Sequence, residues 1–415
     1  MPLLLAAAVM YYIFSLASSR LGSVEGVVNS EPQNWSIATA WTVEQCILAA
    51  CSSTRLHCPL HSDSLVQLRL VAPDTLLLDV EESKRARWEH ISRGAIAGRG
   101  AFGTVLSATW RPPAPLGPGG PAQAVSVALK ALQPVAPPAS SDAAAHHAYK
   151  AALSRWDREP TAAACRAYCG LRQELSILSQ LKHQHVLPLL AVCAAPLALL
   201  LALAPCGALD GVLRSYRDCG SRCSARLARA LALQVARALE YLHARRVVYR
   251  DLKSENVLVW KMPRPGEELN GGQLNVHVKL GDYGISRLAP PSGTKGFGGT
   301  EGFMAPEIMR YNGEEEYNEK VDCFSYGMLL YEIVTVRQPF DGHEAVKEAV
   351  LEGARPSLSP RDLEYPCCML ETMRRCWSGS PELRPSAAAL VSVAAAPEYC
   401  ALADAAAART ASAAA

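Results

Sequence analysis

Hydrophobic and polar residues follow two different periods along the chain. Leucines recur at helical spacing between residues 171 and 181, and residues 224–244 repeat the same period over a longer stretch. Residues 197–204 instead form one apolar run with the length of a buried strand. These patterns predict a chain that contains both α-helices and β-strands.

Low-complexity segments rich in Pro, Gly or Ala interrupt these elements. Residues 111–124 and 133–165 interrupt the first part, and residues 261–274 interrupt the second. Because such a composition buries little apolar surface, we expect mobile insertions, with a helix as the alternative for residues 143–152. The Ala-rich tail, residues 397–415, is expected to be disordered.

The first 85 residues carry no motif of their own and end in a charged, solvated linker at residues 81–85. Residues 1–17 are strongly apolar, which fits a signal peptide, a membrane anchor or a helix cut from a larger upstream domain. We favour the last interpretation, because no basic residue precedes the run and it is short for a membrane span. Four residues of zinc-binding type depart from the usual Cys-x₂₋₄-Cys spacing, so zinc is the less favoured interpretation there. These four are Cys46, Cys51, Cys58 and His61.

The composition argues against several classes of function. The 415 residues include 41 basic and 39 acidic side chains, for a net charge of +2. This balance gives no argument for nucleic acid or an anionic membrane as partner. Half of the residues are hydrophobic, enough to build a core. The 14 cysteines are not spaced as a disulfide framework, and a chain of this size does not need one.

A glycine-rich stretch at residues 98–105, Gly-Arg-Gly-Ala-Phe-Gly-Thr-Val, is the first candidate for chemistry. Glycines let a tight turn lie close over phosphates, where a Cβ atom would collide. Alone, the pattern favours an ordinary hairpin. It gains weight from a following strand that ends in Lys130, because an ammonium group there suits the α- and β-phosphates of a nucleotide. A buried lysine needs a counter-charge, and Glu174 in the leucine-spaced helix is the best candidate.

Two further motifs lie downstream. Residues 249–256 read Tyr-Arg-Asp-Leu-Lys-Ser-Glu-Asn, and the tripeptide Asp-Tyr-Gly follows at residues 282–284, after two predicted short strands. In this order, the motifs resemble those of the protein kinase family. The resemblance implies an α+β, two-lobed fold, with a small antiparallel sheet and one major helix in the N-lobe and a larger, mostly helical C-lobe. It also implies that Asp251 accepts a proton from a substrate hydroxyl and that Asn256 and Asp282 hold Mg²⁺, or Mn²⁺, against ATP phosphates.

The kinase resemblance implies the contacts of the nucleotide. Leu201 would be the gatekeeper behind the adenine, and backbone groups of Ala202 and Ala204 would bond the adenine edge. The implied ATP-binding residues are Ile96, Ala97, Gly98, Arg99, Gly100, Ala101, Phe102, Gly103, Thr104, Val105, Ala128, Lys130, Leu201, Ala202, Ala204 and Leu258. Three of these would sandwich the adenine: Val105, Ala128 and Leu258.

The same resemblance implies residues that organise the site. Glu307 closes the activation segment and would pair with Arg384, and Asp322 would brace the catalytic loop. Thr300 would line the pocket beside the acceptor residue and contact Asp251. The remaining members of this set are Tyr249, Arg250, Tyr283 and Gly284.

Residues at three positions indicate which group of protein kinases the chain resembles. Lys253, two residues after Asp251, is the mark of serine/threonine kinases and would steady the γ-phosphate. Tyr249 replaces the usual His of His-Arg-Asp, and Tyr283 replaces the usual Phe of Asp-Phe-Gly. This combination resembles the leucine-rich-repeat kinases of the Roco family, over about residues 68–396. That likeness implies the end of a COR domain before the kinase and Rab-type small GTPases as substrates.

We therefore expect a serine/threonine kinase that transfers the γ-phosphoryl group of ATP to proteins. The predicted domains are a COR-like remnant with linker at residues 1–85, a kinase domain at 86–396 and the tail at 397–415. Within the kinase domain, the predicted N-lobe is 86–203 and the C-lobe is 204–396.

Two alternatives to an active soluble kinase stay open from the sequence. The first is a catalytically weak or pseudokinase scaffold, against which the intact Lys130, Asp251, Asn256 and Asp282 argue. The second is a membrane-anchored receptor-type kinase with its anchor at residues 1–17. The expected location is the cytoplasm, with attachment at the periphery of membranes as the alternative.

Overall fold

The computed structural model describes residues 80–100, 103–112, 123–138, 141, 143–267 and 274–414. The chain divides into two compact units. The first comprises residues up to Leu175 together with Leu189–Leu201, and the second comprises Ser176–Pro188 and the residues from Ala202 onward. The four cysteine and histidine candidates for zinc and the COR-like segment up to residue 79 lie outside the described residues.

One six-stranded sheet forms the centre of the first unit. Its strands, numbered in chain order, are β1 (Arg85–Ala86), β2 (Ile91–Gly100), β3 (Gly103–Trp110), β4 (Val125–Ala131), β5 (Leu189–Ala194) and β6 (Leu197–Ala202). The order across the sheet is β1-β5-β6-β4-β3-β2. The pairs β2–β3, β3–β4 and β5–β6 are antiparallel, whereas β1 pairs with β5 in parallel.

Alternating residues of β3 and β4 build the core of this sheet. Leu106 and Trp110 of β3 and Val127 and Leu129 of β4 are at most 1% exposed. Because successive strand residues point to opposite faces, the residues between them lie on the other face of the sheet. The core is therefore one-sided at these strands, and the second face is available for chemistry.

The charged residues 81–85 are solvated, as predicted, with Lys84 half-buried and the other four exposed, but they form secondary structure and are not an unstructured linker. Glu82–Lys84 form a short 3₁₀ helix, and β1 extends the sheet along β5. The Arg85 guanidinium donates a hydrogen bond to the Val80 carbonyl at 3.0 Å. An edge strand presents unpaired backbone groups, and β1 satisfies those of β5.

Two helices occupy much of the predicted insertion at residues 133–165, so the prediction of a mobile segment is wrong from residue 143 onward. They are α1 (Ala143–Arg158) and α2 (Pro160–Leu178). Alanine has the highest helix propensity, and a proline at the first helical position removes an N–H that has no partner in any case. The alternative prediction, a helix at residues 143–152, is confirmed, and the observed helix continues to Arg158.

The division between the units differs from the predicted boundary of the lobes. The predicted N-lobe, 86–203, is continuous, but Ser176–Pro188 belongs to the second unit. The Leu187 N–H donates to the Leu280 carbonyl at 2.8 Å, and the Leu280 N–H donates to the His185 carbonyl at 2.9 Å. These backbone bonds attach the segment to a strand that lies far away in sequence, which no local pattern indicates.

Helices dominate the second unit. They are α3 (Leu209–Asp218), α4 (Ala225–His243), α5 (Pro306–Arg310), α6 (Lys320–Thr335), α7 (Val346–Leu351), α8 (Cys367–Cys376), α9 (Ala387–Ala395) and α10 (Pro397–Ala414). α4 begins where the Ser224 hydroxyl accepts a hydrogen bond from the Leu227 N–H, as an N-cap does. α6 is buried on every side from Val321 to Thr335, so it is the central helix of the unit.

Two short antiparallel strand pairs hold the loops that carry the predicted chemistry. β7 (Val247–Val248) pairs with β10 (Arg287–Leu288), and β8 (Val257–Lys261) pairs with β9 (His277–Leu280). The catalytic-loop motif lies between β7 and β8, and the Asp-Tyr-Gly motif lies between β9 and β10. Each motif is thus a loop anchored by a strand at both ends, which is how rigid scaffolds present functional residues.

The tail forms helix α10, so the prediction of a disordered tail is wrong. Tyr399, Ala403 and Ala406 recur at helical spacing and are buried, and α10 packs on α4 and α9. Asp404 lies 3.5 Å from Arg226 of α4. The Ala-rich composition supports a helix, and the apolar stripe finds a surface on which to pack.

The helices of the described residues can be compared with the length and hydropathy of a membrane span. No single helix among them is both long enough and apolar enough to cross a bilayer, although one bent pair, residues 381–395 with 397–406, meets these criteria jointly. The apolar residues 1–17, on which the anchored alternative depends, lie outside the described part of the chain.

Candidate active site

Lys130 and Glu174 form a buried ion pair in the first unit. Lys130 lies on β4 and Glu174 on α2, and the lysine Nζ is 2.9 Å and 2.7 Å from the two carboxylate oxygens. Lys130 is 5% exposed and Glu174 1%. Because removing either partner would leave an uncompensated buried charge, each residue holds the other in place. The structure thus brings together the two residues that the sequence pairs.

The sheet face opposite the core carries the predicted nucleotide contacts of this unit. Val105 lies across from Lys130, and Ser107 lies across from Ala128, in the register of β3 and β4. Since alternate residues of paired strands share a face, Val105, Ala128 and Lys130 lie side by side. The predicted adenine and phosphate contacts of this unit are therefore neighbours.

The glycine-rich stretch forms the hairpin between β2 and β3. Its tip, residues 101–102, lies outside the described residues. The strand register is irregular on both sides of Ile96, and a Cβ atom added at Gly98 would meet no atom within 4 Å. The surrounding protein therefore does not require glycine at position 98, whereas a ligand that approaches the backbone would.

The segment after β6 carries the predicted contacts of the adenine edge. Leu201, the predicted gatekeeper, is 4% exposed. The Ala202 N–H donates to the Pro188 carbonyl at 3.3 Å, and the Ala204 carbonyl accepts from the Gly207 N–H at 3.3 Å. These bonds fix the backbone on both sides of Leu203. Leu258 of β8 is half-buried.

Three side chains of the second unit form a network around the Asp251 carboxylate. The Thr300 hydroxyl donates to Asp251 Oδ1 at 2.6 Å and accepts from Lys253 Nζ at 2.7 Å. Asn256 Nδ2 donates to Asp251 Oδ2 at 2.8 Å, and Lys253 Nζ lies 3.3 Å from the same oxygen. The carboxylate is thereby held in one orientation, as a base that must meet a substrate hydroxyl requires.

Asp322 fixes the backbone of the catalytic loop from beneath. Its Oδ2 accepts from the Tyr249 N–H at 2.8 Å, and its Oδ1 accepts from the Arg250 N–H at 2.7 Å. His243 Nε2 lies 2.8 Å from Oδ2. Asp322 is fully buried on α6, so the loop is anchored on the central helix of the unit.

Arg250 ties the activation segment to the catalytic loop. Its guanidinium donates to the carbonyls of Ile285, at 2.9 Å, and Gly296, at 2.6 Å. Its φ of 75° lies in the left-handed region, which a non-glycine residue adopts only where its surroundings enforce it. The geometry of this loop is therefore held by contacts distant in sequence.

The two tyrosines that replace the usual His and Phe contact each other. Tyr249 and Tyr283 are fully buried, and their rings meet edge to face with centroids 5.3 Å apart. The Tyr249 hydroxyl donates to the Gly281 carbonyl, and the Tyr283 hydroxyl donates to the Leu280 carbonyl at 3.3 Å. Burial raises the pKa of Tyr249 well above its usual value, so this hydroxyl keeps its proton. Both added hydroxyls thus have backbone partners.

Asp282 and Asn256 are the predicted metal ligands of the second unit. Asp282 has a φ of 47°, and its carboxylate accepts from the Gly284 N–H at 3.2 Å. The Asn256 amide nitrogen is bonded to Asp251, which leaves the amide oxygen as the group for a cation. Both residues therefore offer oxygen, the donor that Mg²⁺ prefers.

The donor set fits a metal that is shared with phosphates. Among the residues that the structure describes, no group of three or more His, Cys, Asp or Glu side chains could hold a metal ion by itself. Mg²⁺ in phosphoryl-transfer sites is usually held by one or two protein oxygens together with substrate phosphates and water. Asn256 and Asp282 satisfy that smaller requirement.

Arg384 and Glu307 form a bidentate ion pair. Arg384 Nη1 and Nη2 lie 2.6 Å and 2.8 Å from the two Glu307 oxygens. The arginine is 1% exposed and also donates to the carbonyls of Ser378 and Lys320. This pair links the end of the activation segment to the loop before α9, as the sequence analysis expects.

The sequence analysis missed Glu332, which supports the catalytic loop from α6. Glu332 is 3% exposed, and its Oε1 accepts from the Ser254 hydroxyl at 2.6 Å. Its Oε2 is buried with no hydrogen-bond partner among the described residues. Burial raises the pKa of Glu332 to about 8. The one sequence signal was a glutamate inside an otherwise apolar helix.

The raised pKa of Glu332 predicts a pH-dependent stability. The folded protein keeps this proton up to about pH 8, whereas an unfolded chain releases it near 4.5. The folded state binds more protons in this window, so stability should fall as pH rises from about 4.5 toward 8. Glu332→Gln, which cannot titrate, should flatten this decline in melting temperature.

Glu371→Gln, an exposed acid on α8, is the matched control for Glu332→Gln and should follow the wild-type pH profile. If Glu332→Gln and the wild type lose melting temperature in parallel over this range, Glu332 is ionised in the folded protein and the assignment is wrong.

The chain belongs to the protein kinase family. The protein kinase domain family matches residues 146–394, more than half of the chain. This match confirms the predicted α+β kinase fold, with a sheet-containing N-lobe and a helical C-lobe. Members of this family use ATP and a divalent metal ion and act on protein substrates.

Within this family the chain is similar to leucine-rich repeat kinases. It is 48% identical over 369 residues to leucine-rich repeat serine/threonine-protein kinase 1 of Caenorhabditis elegans, covering 89% of this chain and 15% of that protein. It is 32% identical over 366 residues to the mouse protein of the same name, covering 84% of this chain and 16% of that protein. A third relative, probable serine/threonine-protein kinase roco7 of Dictyostelium discoideum, is 31% identical over 230 residues, 53% of this chain and 8% of that protein.

These relatives confirm the predicted resemblance to leucine-rich-repeat kinases, and each of them is named as a serine/threonine-protein kinase. The chain spans about one sixth of the length of the two leucine-rich repeat relatives.

Proposed function

We propose that this chain transfers the γ-phosphoryl group of ATP to serine and threonine hydroxyls of proteins. The observation that carries the proposal is the network in which Thr300, Lys253 and Asn256 hold the Asp251 carboxylate. Asp251 orients the acceptor hydroxyl and takes its proton. Lys253 stabilises the negative charge that develops on the transferred phosphoryl group.

The nucleotide roles follow from the same proposal. Lys130, fixed by Glu174, binds the α- and β-phosphates. Asn256 and Asp282 hold Mg²⁺, or Mn²⁺, whose charge offsets that of the phosphates. The Ala202 carbonyl and the Ala204 N–H bind the adenine edge, and the hairpin of residues 98–105 covers the phosphates.

We further propose Rab-type small GTPases as substrates and the cytoplasm, including the periphery of membranes, as the location. Support comes from the likeness to leucine-rich-repeat kinases in the Tyr-Arg-Asp and Asp-Tyr-Gly motifs.

The test is a phosphorylation assay on the full chain with radiolabelled ATP, Mg²⁺, a serine/threonine peptide panel and a purified Rab protein. We expect phosphoserine or phosphothreonine that requires both ATP and the divalent ion. Absence of transfer with tight ATP binding would establish the pseudokinase alternative. Labelled peptides with an unlabelled Rab protein would leave the kinase assignment in place and reject the substrate.

Tyr283→Phe should raise kcat about fivefold. The Tyr283 hydroxyl donates to the Leu280 carbonyl at 3.3 Å, and such a bond contributes about 1 kcal/mol. The family resemblance implies that this bond favours an inactive arrangement of the Asp-Tyr-Gly loop, so its loss shifts the population toward the active one. Phenylalanine keeps the ring and hence the contact with Tyr249.

The exposed Tyr311 offers a matched control, since Tyr311→Phe removes a hydroxyl from the same domain and should leave kcat unchanged. Equal or lower activity of Tyr283→Phe would show that this hydroxyl does not restrain the loop.

A further inference from the structure

A row of aromatic rings crosses the second unit, and none of its members is assigned to catalysis or nucleotide binding. His183 stacks on Tyr241 of α4, with centroids 4.7 Å apart and planes at 18°, and meets His185 edge-on at 5.6 Å. His277 of β9 continues the row, 5.4 Å from His185 and 6.2 Å from Trp260 of β8. His185 is buried, and the other four rings are half-buried. We call these five residues the ring surface.

Basic side chains lie over both ends of the ring surface. The Arg245 guanidinium is 3.7 Å from the ring centroid of Tyr241, and the Lys279 ammonium is 5.3 Å from that of Trp260. These are cation–π distances. Lys279 also donates to the Gln184 carbonyl, which places its charge beside the histidines.

Burial and neighbouring cations both lower the pKa of two histidines of the ring surface. Burial first, and then Lys279, Arg245 and Arg237, lowers the pKa of His183. Burial, Lys279 and Lys261 lower the pKa of His277 in the same way. The histidines are therefore neutral at pH 7, and the positive charge of this surface comes from lysines and arginines.

Four cations around the ring surface have no anionic partner among the residues that the structure describes. They are Arg237, Arg245, Lys261 and Lys279, and none of them forms an ion pair within the described part of the chain. Arg237 and Tyr241 are four residues apart on α4 and so share one helix face, and Arg245, just beyond the end of α4, lies over the Tyr241 ring. Glu240, the nearest acid along α4, is in no ion pair with them. Clustered cations without counter-charges attract a polyanion.

We propose that the ring surface binds an acidic, extended peptide segment of a partner protein. The ring steps of 4.7–6.2 Å match a peptide of about six residues at about 3.3 Å per residue. Its carboxylates pair with the four cations, and its backbone lies along the half-buried rings. The proposal concerns a docking surface and does not depend on phosphoryl transfer.

Two other polyanions fit this surface less well. Single-stranded nucleic acid binds by stacking its bases on open aromatic faces, but here the rings are half-buried and packed against each other. A membrane surface requires exposed apolar anchors, and none of the five rings is among the exposed large hydrophobic residues of the described chain. Carboxylates on a flexible backbone need neither feature.

The test is fluorescence anisotropy of a labelled hexaglutamate peptide with the full chain at low ionic strength. We expect saturable binding that weakens as salt is added. The double charge reversal Arg245→Glu with Lys261→Glu acts on exposed residues at the two ends of the surface and should lower the affinity at least about tenfold.

The matched control is Arg374→Glu with Arg375→Glu, two exposed cations of α8. It makes the same change in net charge and should leave peptide affinity within about twofold, with both variants retaining the wild-type melting temperature. No binding to the wild type, or equal loss in both double variants, overturns the proposal. Tighter binding of an oligothymidine or of phosphatidylserine vesicles than of the peptide overturns the choice of partner.

Discussion

Asp251→Asn should lower phosphoryl transfer by about 10²–10⁴-fold, the usual contribution of a positioned general base. Asparagine cannot take the proton of an acceptor hydroxyl. ATP affinity should stay within a few-fold of the wild type, because Lys130 and the predicted adenine contacts are untouched. Single-turnover transfer and equilibrium binding of a fluorescent ATP analogue measure the two quantities separately.

The hydrogen bonds around Asp251 predict how the substitution is accommodated. The Thr300 hydroxyl donates to Oδ1, and an asparagine oxygen there still accepts that bond. The new amide nitrogen would instead face the Asn256 amide nitrogen, which now donates to Oδ2 at 2.8 Å. A small local shift is expected, so the melting temperature should be recorded with the rates.

The exposed Asp218 at the end of α3 provides the control, since Asp218→Asn makes the same chemical change and should transfer at the wild-type rate. Near-wild-type transfer by Asp251→Asn, with an unchanged melting temperature, would show that Asp251 is not the base.

Glu307→Gln should destabilise the protein by about 3–5 kcal/mol. The Arg384 guanidinium is buried and bonded to both Glu307 oxygens at 2.6 and 2.8 Å. Breaking a buried pair costs this much, because the remaining charge loses its counter-ion but stays out of water. For a folded unit of this size, about 1 kcal/mol corresponds to 2–4 °C, so the melting temperature should fall by roughly 6–20 °C.

The other hydrogen-bond partners of Arg384 should limit the loss of stability in Glu307→Gln. Glutamine keeps one acceptor oxygen, and the carbonyls of Ser378 and Lys320 continue to bind the guanidinium, so the lower half of the range is favoured. Glu314→Gln, at an exposed position just after α5, should change the melting temperature by less than about 2 °C. If the two variants melt together, the Glu307–Arg384 pair contributes nothing to stability.

The paired residues of the site show what can be predicted from a sequence of this kind. Lys130 and Glu174 are 44 residues apart, yet their pairing was predicted, because a lysine at the end of a strand needs a counter-charge and the motif order indicates where to look. The kinase resemblance predicted the contacts of Thr300 with Asp251 and of Arg384 with Glu307. Chemistry that requires particular residue types at fixed spacing can therefore be recognised from the sequence.

Glu332 shows the limit of that approach. A glutamate within an apolar helix is ordinary in a sequence, and its role depends on the Ser254 hydroxyl, 78 residues away. Its pKa depends on burial, which is a property of the packed unit. The ring surface is similar, because its five residues come from four separate stretches of the chain.

The sequence by itself determined the α+β fold, the kinase motifs and the residue types that can hold phosphate, metal and proton. Only the tertiary structure decided which low-complexity segments are ordered. Residues 143–165 and the tail have compositions that bury little apolar surface, but alanine is a strong helix former. The tail is ordered as α10 because Tyr399 and Ala403 find buried positions on other helices. Whether such a segment is ordered depends on the free energy of packing against a surface formed by residues far away in sequence. A short stretch of sequence does not show whether that surface exists.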